Sequence, residues 1–280
     1  MNCKNCKRAL SLEDKYCNEC GAKVINHRLT LKHFFSETVE NMFSIDTNKP
    51  LRTVVDLILK PAKVIGGYID GVRKKYLNPF AFFTLAITLS GLYYYLINNV
   101  FSELLEGTMN FGKVQTEGEK EMTKNMFDTI FEYQTFIFFL SIPLLALISR
   151  LVFLKNKKYN YTEHLIINLY AYSLTSIIMV LFYLATLWNV NLYIAANLFG
   201  MLFLFSYYLY ALQQLYQLNV SQTILKFVLF GFIFLLILII VNVILIAGGA
   251  YDDLFEQINK QAELQKSTSY IASSVINWTS

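Results

Sequence analysis

Residues 232–241 read Phe-Ile-Phe-Leu-Leu-Ile-Leu-Ile-Ile-Val, and no charged residue interrupts the chain from 227 to 250. A block of that length matches the hydrocarbon thickness of a bilayer, roughly 30 Å, better than it matches one buried helix of a soluble core. Blocks at 79–100, 131–154, 165–187 and 192–216 share its character, so with 226–248 the sequence predicts five membrane spans. Only Trp188-Asn189-Val190-Asn191 joins the third to the fourth, which makes them an antiparallel hairpin. With 55% hydrophobic and 16% charged residues, against about a quarter charged in an average soluble domain, a free-standing soluble enzyme is excluded. Scarce charge, 12 Gly and 4 Cys also exclude a disordered chain, collagen and a secreted disulfide scaffold. The expected fold class is all-α, a polytopic membrane helical bundle.

Charge is unevenly distributed around these blocks. Residues 1–78 carry 14 Lys/Arg against 8 Asp/Glu, loop 101–134 carries 3 against 7, stretch 150–163 carries 4 against 1, and the segment after 250 carries 2 against 4. Cytoplasmic loops hold the excess of Lys and Arg. The N-terminus is therefore expected in the cytosol, with 19 of the 24 basic residues on that side and an acidic C-terminal tail outside. The expected units are a metal-binding module at 1–26, interfacial helices and a basic collar at 27–78, the five-span bundle at 79–250, and a polar extracytoplasmic tail at 251–280. No apolar leader opens the chain, so the first span is expected to serve as the insertion signal in the cytoplasmic membrane.

All four cysteines lie within the first twenty residues, as Cys3-Lys4-Asn5-Cys6 and Cys17-Asn18-Glu19-Cys20. Two intervening residues let one tight turn present both sulfurs to a single ion, and a second such turn completes a tetrahedron. Gly21 suits the left-handed position after the second pair; Lys7 stands there after the first, a less ideal turn. A cytosolic setting disfavours disulfides, and no His follows either pair for haem attachment. The same thiolates accept iron; structural Zn²⁺ is the expectation. Four protein ligands leave no open position for water, so the site is read as a folding and docking module. The segment 2–24 resembles the short zinc ribbons at the ends of many bacterial membrane and regulatory proteins.

Two amphipathic stretches follow. Residues 29–43 place Leu31, Phe34, Phe35, Val39, Met42 and Phe43 on one helical face, and residues 51–60 do the same with Leu51, Val54, Val55 and Ile58. Both are too short to span a bilayer, so they are expected to lie at the interface or on the cytosolic ends of the spans. Arg73, Lys74 and Lys75 then stand directly before the first span, as a topology signal and a candidate site for lipid headgroups or phosphate.

In the third span His164, Asn168, Tyr172 and Thr175 recur at helical spacing and predict one polar stripe facing away from lipid. Glu163 beside His164 is a candidate proton-handling pair, with helix–helix hydrogen bonding as the plainer alternative. No P-loop, nucleophile elbow, His-Glu-x-x-His or acidic phosphate-transfer motif occurs, so no enzymatic activity is expected. The basic N-terminal region is short and lacks interleaved aromatics, so nucleic acid is not expected as a partner.

The order of these features is distinctive: the paired Cys-x-x-Cys, Arg28-Leu-Thr-Leu-Lys32, a Thr53 helix ending at Pro61, Gly71-x-Arg73-x-x-Tyr76-x-x-Pro79-Phe80, and Glu163-His164-Leu165 opening a span. It resembles an uncharacterised bacterial family of multi-pass membrane proteins with an N-terminal zinc ribbon, a domain of unknown function. The resemblance covers residues 3–80 and, less fully, 161–170, and implies membrane location and zinc without an activity. The expected function is a non-enzymatic adaptor, scaffold or regulatory membrane component. Its expected partners are the lipid bilayer, a cytosolic protein through the ribbon, and further copies of itself. The alternative is a small-solute or lipid transporter using the stripe on the third span.

Overall fold

In the computed structural model, residues 1–11, 13–25, 28–34, 48–101, 117–156 and 158–249 are described, with side chains of 117–135 only in part. Most of the amphipathic stretch expected at 29–43 and the whole tail after 250 lie outside them. Among the described residues, regular structure is helical apart from two isolated bridges, Asn2 with Ala9 and Tyr16 with Lys23.

After a helical turn at 31–34, helix α1 (Lys49–Leu59) starts with Pro50 in its first turn. It stops at Lys60, whose φ of −146° and ψ of 60° leave the helical region. Pro61 causes this, since its ring crowds the preceding residue out of the α conformation. A π-helical turn (Ala62–Gly66) and α2 (Gly67–Asp70) continue to Gly71, which ends the segment at φ 107°.

The long helices follow as α3 (Pro79–Asn99), α4 (Glu117–Val152), α5 (Tyr161–Leu184), α6 (Val190–Tyr216) and α7 (Val220–Ala247). Four of them begin the same way: Asn78, Asn160, Asn189 and Asn219 each accept a hydrogen bond from the backbone N–H three residues on. An Asn side chain satisfies an amide that the first helical turn leaves without a carbonyl.

Pro79–Asn99, Tyr161–Leu184, Val190–Tyr216 and Val220–Ile244 are long and apolar enough to cross a membrane. The block expected at 131–154 forms the C-terminal part of α4, where the apolar stretch is Phe136–Val152. Those 17 residues rise about 25 Å, short of a full hydrocarbon core.

Helix α5 is the centre of the bundle. It packs on α3, α4 and α6, and 72% of its span is buried against 33% for α3, 28% for α6 and none for α7. The N-terminal ends of α3, α5 and α7 and the C-terminal ends of α4 and α6 gather at one end. Lys158 Nζ bonds the Leu215 carbonyl there and Lys226 Nζ the Val152 carbonyl. The α1–α2 collar is seated at this end: Tyr207 and Tyr210 of α6 donate to the carbonyls of Leu57 and Leu59, and Tyr170 of α5 donates to that of Leu77. Tyr207 and Tyr170 each lie nine residues inside their helices, about 13 Å. The collar is thus wedged among the long helices. The inward residues of α1 are Thr53 and Leu57, while Leu51, Val55, Ile58 and Leu59 remain exposed as an apolar outer face.

At the far end the three successive tyrosines of α3 divide. Tyr93 is buried and hydrogen-bonded to Tyr193, whereas Tyr95 is 63% exposed.

Candidate functional site

The cysteine module consists of two hairpins that superpose in sequence with an offset of fourteen residues. Cys3 N–H donates to the Arg8 carbonyl and Cys17 N–H to the Ala22 carbonyl, while the N–H groups of Lys7 and Gly21 return to the carbonyls of Cys3 and Cys17. Gly21 has φ 60° and Lys7 has φ 69°. The first turn therefore adopts the left-handed geometry of the second despite carrying a side chain there, at a strain cost of about 1 kcal/mol.

The result brings all four Sγ atoms within 4.8 Å of one another. Cys3 and Cys20 lie 3.7 Å apart and Cys6 and Cys17 lie 3.5 Å apart. The edge of a tetrahedron with metal–sulfur bonds of about 2.3 Å is roughly 3.8 Å. Four soft donors at these spacings fit a divalent ion such as zinc or iron. The amide of Cys20 leads in drawing the Cys17 thiol down to about 6, against its burial, and the amide of Glu19 assists. Cys6 is pushed up to about 12, because burial and the neighbouring sulfurs outweigh the amide of Arg8, the largest single influence. Four thiols in one small volume cannot all ionise without a cation among them.

The module is seated on the collar through two glycines. At Gly71 a side chain would meet Lys4 Cδ at 3.1 Å, and at Gly21 it would meet Lys74 Nζ at 2.9 Å. Lys4 Nζ also bonds the Ile25 carbonyl at 3.1 Å. From there the strap at 28–30 is tied to α5. Arg28 Nε and Nη2 donate to Glu163 Oε1 and Oε2 at 2.9 and 2.7 Å, and Asn160 Nδ2 donates to the Leu29 carbonyl. Glu163 also closes the capping box of α5 by accepting the Asn160 N–H at 2.7 Å. This carboxylate is nearly buried, and its bonds hold the Arg28 guanidinium pKa above its usual value.

Glu163 and His164 were expected as a pair, and the structure separates them. Neighbours on a helix point about 100° apart, so Glu163 faces the strap while His164 faces inward. His164 is fully buried, with Nδ1 2.9 Å from Ser149 Oγ of α4 and Nε2 3.0 Å from Tyr216 OH of α6. Asn168 donates to Ser149 Oγ and to the His164 carbonyl and accepts from Tyr208. Phe153 stacks on Tyr216 with centroids 3.9 Å apart. Every ring nitrogen and amide group here thus has a partner, and the polar network binds α4, α5 and α6 together.

The expected stripe does not continue as one surface. Thr175 is buried but bonds its own helix, at the carbonyls of Ala171 and Tyr172, and Tyr172 packs edge-on against Phe83 and Phe138. Ser149, Tyr208 and Tyr216, which complete the network, carry no signal in the sequence because each is one more hydroxyl in an apolar helix.

The collar cations also part company. Arg73 lies 4.0 Å over the Tyr68 ring and Lys74 against Gly21, while Lys75 turns toward a cleft. This cleft, of about 1100 Å³, opens between the cysteine module, the collar and the ends of α5 and α6. Lys4, Lys7, Lys63, Lys75 and Lys158 line it, with the Arg28–Glu163 pair and Asp70.

A family model described as "Protein of unknown function (DUF3667)" matches residues 48–91, which are α1, the collar and the first half of α3. Comparison with curated proteins and with solved structures finds no match to the chain. The matched segment is similar to that family where the collar is wedged among the long helices; the cysteine module and α4–α7 lie outside the match.

Proposed function

We propose that this is an integral membrane protein of the cytoplasmic membrane, with five crossings, a cytosolic N-terminus and a structural zinc ion on Cys3, Cys6, Cys17 and Cys20. It acts as a non-enzymatic adaptor or regulatory component that presents the ribbon to a cytosolic protein. The carrying observation is the attachment of the ribbon: glycine contacts at 21 and 71 and a bidentate ion pair to α5 make it a fixed cap on the bundle. A closed four-cysteine site supports docking over catalysis, since no coordination position is left for substrate. The alternating direction of α3 to α7 supports α4 as the fifth crossing.

The test combines metal analysis with partner capture from the native membrane. Purified protein is expected to carry one zinc, and Cys3→Ser with Cys17→Ser to lose it together with the captured cytosolic protein. Capture that persists after verified loss of the metal defeats the docking role. Reporter fusions at residue 115 and at the C-terminus are expected to read extracytoplasmic; a cytosolic signal from either removes the five-crossing arrangement.

A further inference from the structure

We infer that the cleft between the ribbon and the collar is a binding site for a ligand bearing two or more phosphates. Five lysines, Lys4, Lys7, Lys63, Lys75 and Lys158, converge on it from four separate parts of the chain. Among acids lining the cleft, Glu163 is engaged by Arg28, and Asp70 alone faces the lysines. The folding of the protein explains only part of this charge. Lys4 and Lys158 each spend one donor on a carbonyl, of Ile25 and Leu215, and keep two. The Lys7 and Lys63 side chains are exposed, and their ammonium groups make no hydrogen bond or ion pair among the described residues. Bringing five ammonium groups together with Asp70 as the one unengaged acid in the lining costs free energy, and a polyanion reverses that cost.

The volume, about 1100 Å³, admits a diphosphate with its organic substituent. Tyr76 and Tyr159 line the same walls and offer apolar edges beside the charges. Phosphates of this kind reach the site either as the headgroup of a lipid carrying two phosphates or as a soluble diphosphate. The collar already wedges between the spans, so both routes end at the same lysines. The site does not depend on the docking reading, since its walls require only that the ribbon sit on the collar.

The test uses full-length protein in phosphatidylcholine nanodiscs. One arm incorporates cardiolipin and measures its enrichment by native mass spectrometry; the other titrates inorganic pyrophosphate by calorimetry. The variants are Lys7→Gly, which relieves a left-handed turn as it removes the charge, Lys63→Gln and Lys75→Gln, with Lys155→Gln outside the cleft as control. Each substitution is expected to weaken binding about fivefold, as a cation near a phosphate surface does, and the triple variant about a hundredfold. A drop in the cardiolipin arm assigns a lipid headgroup, and a drop in the pyrophosphate arm assigns a soluble ligand. The inference is overturned if neither probe binds, or if the control weakens binding as much as the cleft variants do. Should the triple variant fail to fold, Lys7→Gly and Lys63→Gln tested singly carry the same expectation.

Discussion

Glu163 joins two functions in one side chain, and a mutant series separates them. Its carboxylate holds Arg28 of the strap and also accepts the Asn160 N–H that starts α5. Glu163 is nearly buried, but Arg28 is 56% exposed, so water screens the pair and limits it to about 1 kcal/mol. The capping bond contributes about 1 kcal/mol more. Glu163→Ala loses both and is expected to destabilise by about 2 kcal/mol, whereas Glu163→Gln keeps a carbonyl for the cap and loses about 1. Arg28→Ala should cost about 1 kcal/mol alone and less in the Glu163→Gln background, where its bond to the Lys158 carbonyl is what remains to lose. Reversible unfolding in mixed micelles, followed by far-UV circular dichroism, measures all four. Costs that add to within ~0.3 kcal/mol show that strap and span are not coupled. Equal effects of Gln and Ala at 163 refute the capping role.

Four further outcomes follow from the geometry. Gly200 faces Met179 and Tyr183 across the α5–α6 hairpin, with Met179 Sδ 2.7 Å from where a Cβ would stand. Gly200→Ala is therefore expected to cost about 1–3 kcal/mol, and Met179→Ala in the same chain to recover part of it in the same unfolding assay. His164→Ala leaves the Tyr216 and Ser149 hydroxyls without their buried partner and should destabilise by about 2–3 kcal/mol, more than Thr175→Ala, whose bonds stay within its own helix. In the cysteine module, Gly21→Ala places a methyl at φ 60° and against Lys74, whereas Lys7→Gly relieves φ 69°. Competition with a chromophoric chelator should show metal affinity falling in the first and holding or rising in the second. Burial, with Asp70 and Glu163 nearby, pushes the Tyr159 phenol up to about 12. The folded state thus keeps a proton that the unfolded chain releases near pH 10. Tyr159 contributes to stability below that pH, and the contribution is lost as pH rises from 10 through 12. Tyr159→Phe should flatten the alkaline decline in stability, and tyrosinate absorbance should show one fewer late-titrating phenol.

How much of this was legible varies with how local the physics is. The cysteine spacing announced a tetrahedral donor set because two turns of four residues suffice to build it. The left-handed turn at Lys7 was legible only as a departure from glycine, and its adoption follows from the hydrogen bonds of Cys3 with Arg8 and Lys7. The apolar blocks located the long helices, but α5, α6 and α7 start just after their Asn caps, two to six residues before the blocks do. Block 131–154 read as a fifth full span, but its apolar stretch begins at Phe136, on a helix whose earlier turns are rich in Glu and Lys.

The sequence by itself determined the helical class, the four clustered thiols and the basic character of one end, because those depend on composition and on residues a few positions apart. Only the tertiary structure decided that Arg28 meets Glu163 across 135 residues, that His164 faces Ser149 and Tyr216, and that lysines from four segments share one cleft. Those contacts depend on how helices rotate and pack against α5. A periodic pattern names the face of a helix and leaves open which neighbour that face will meet.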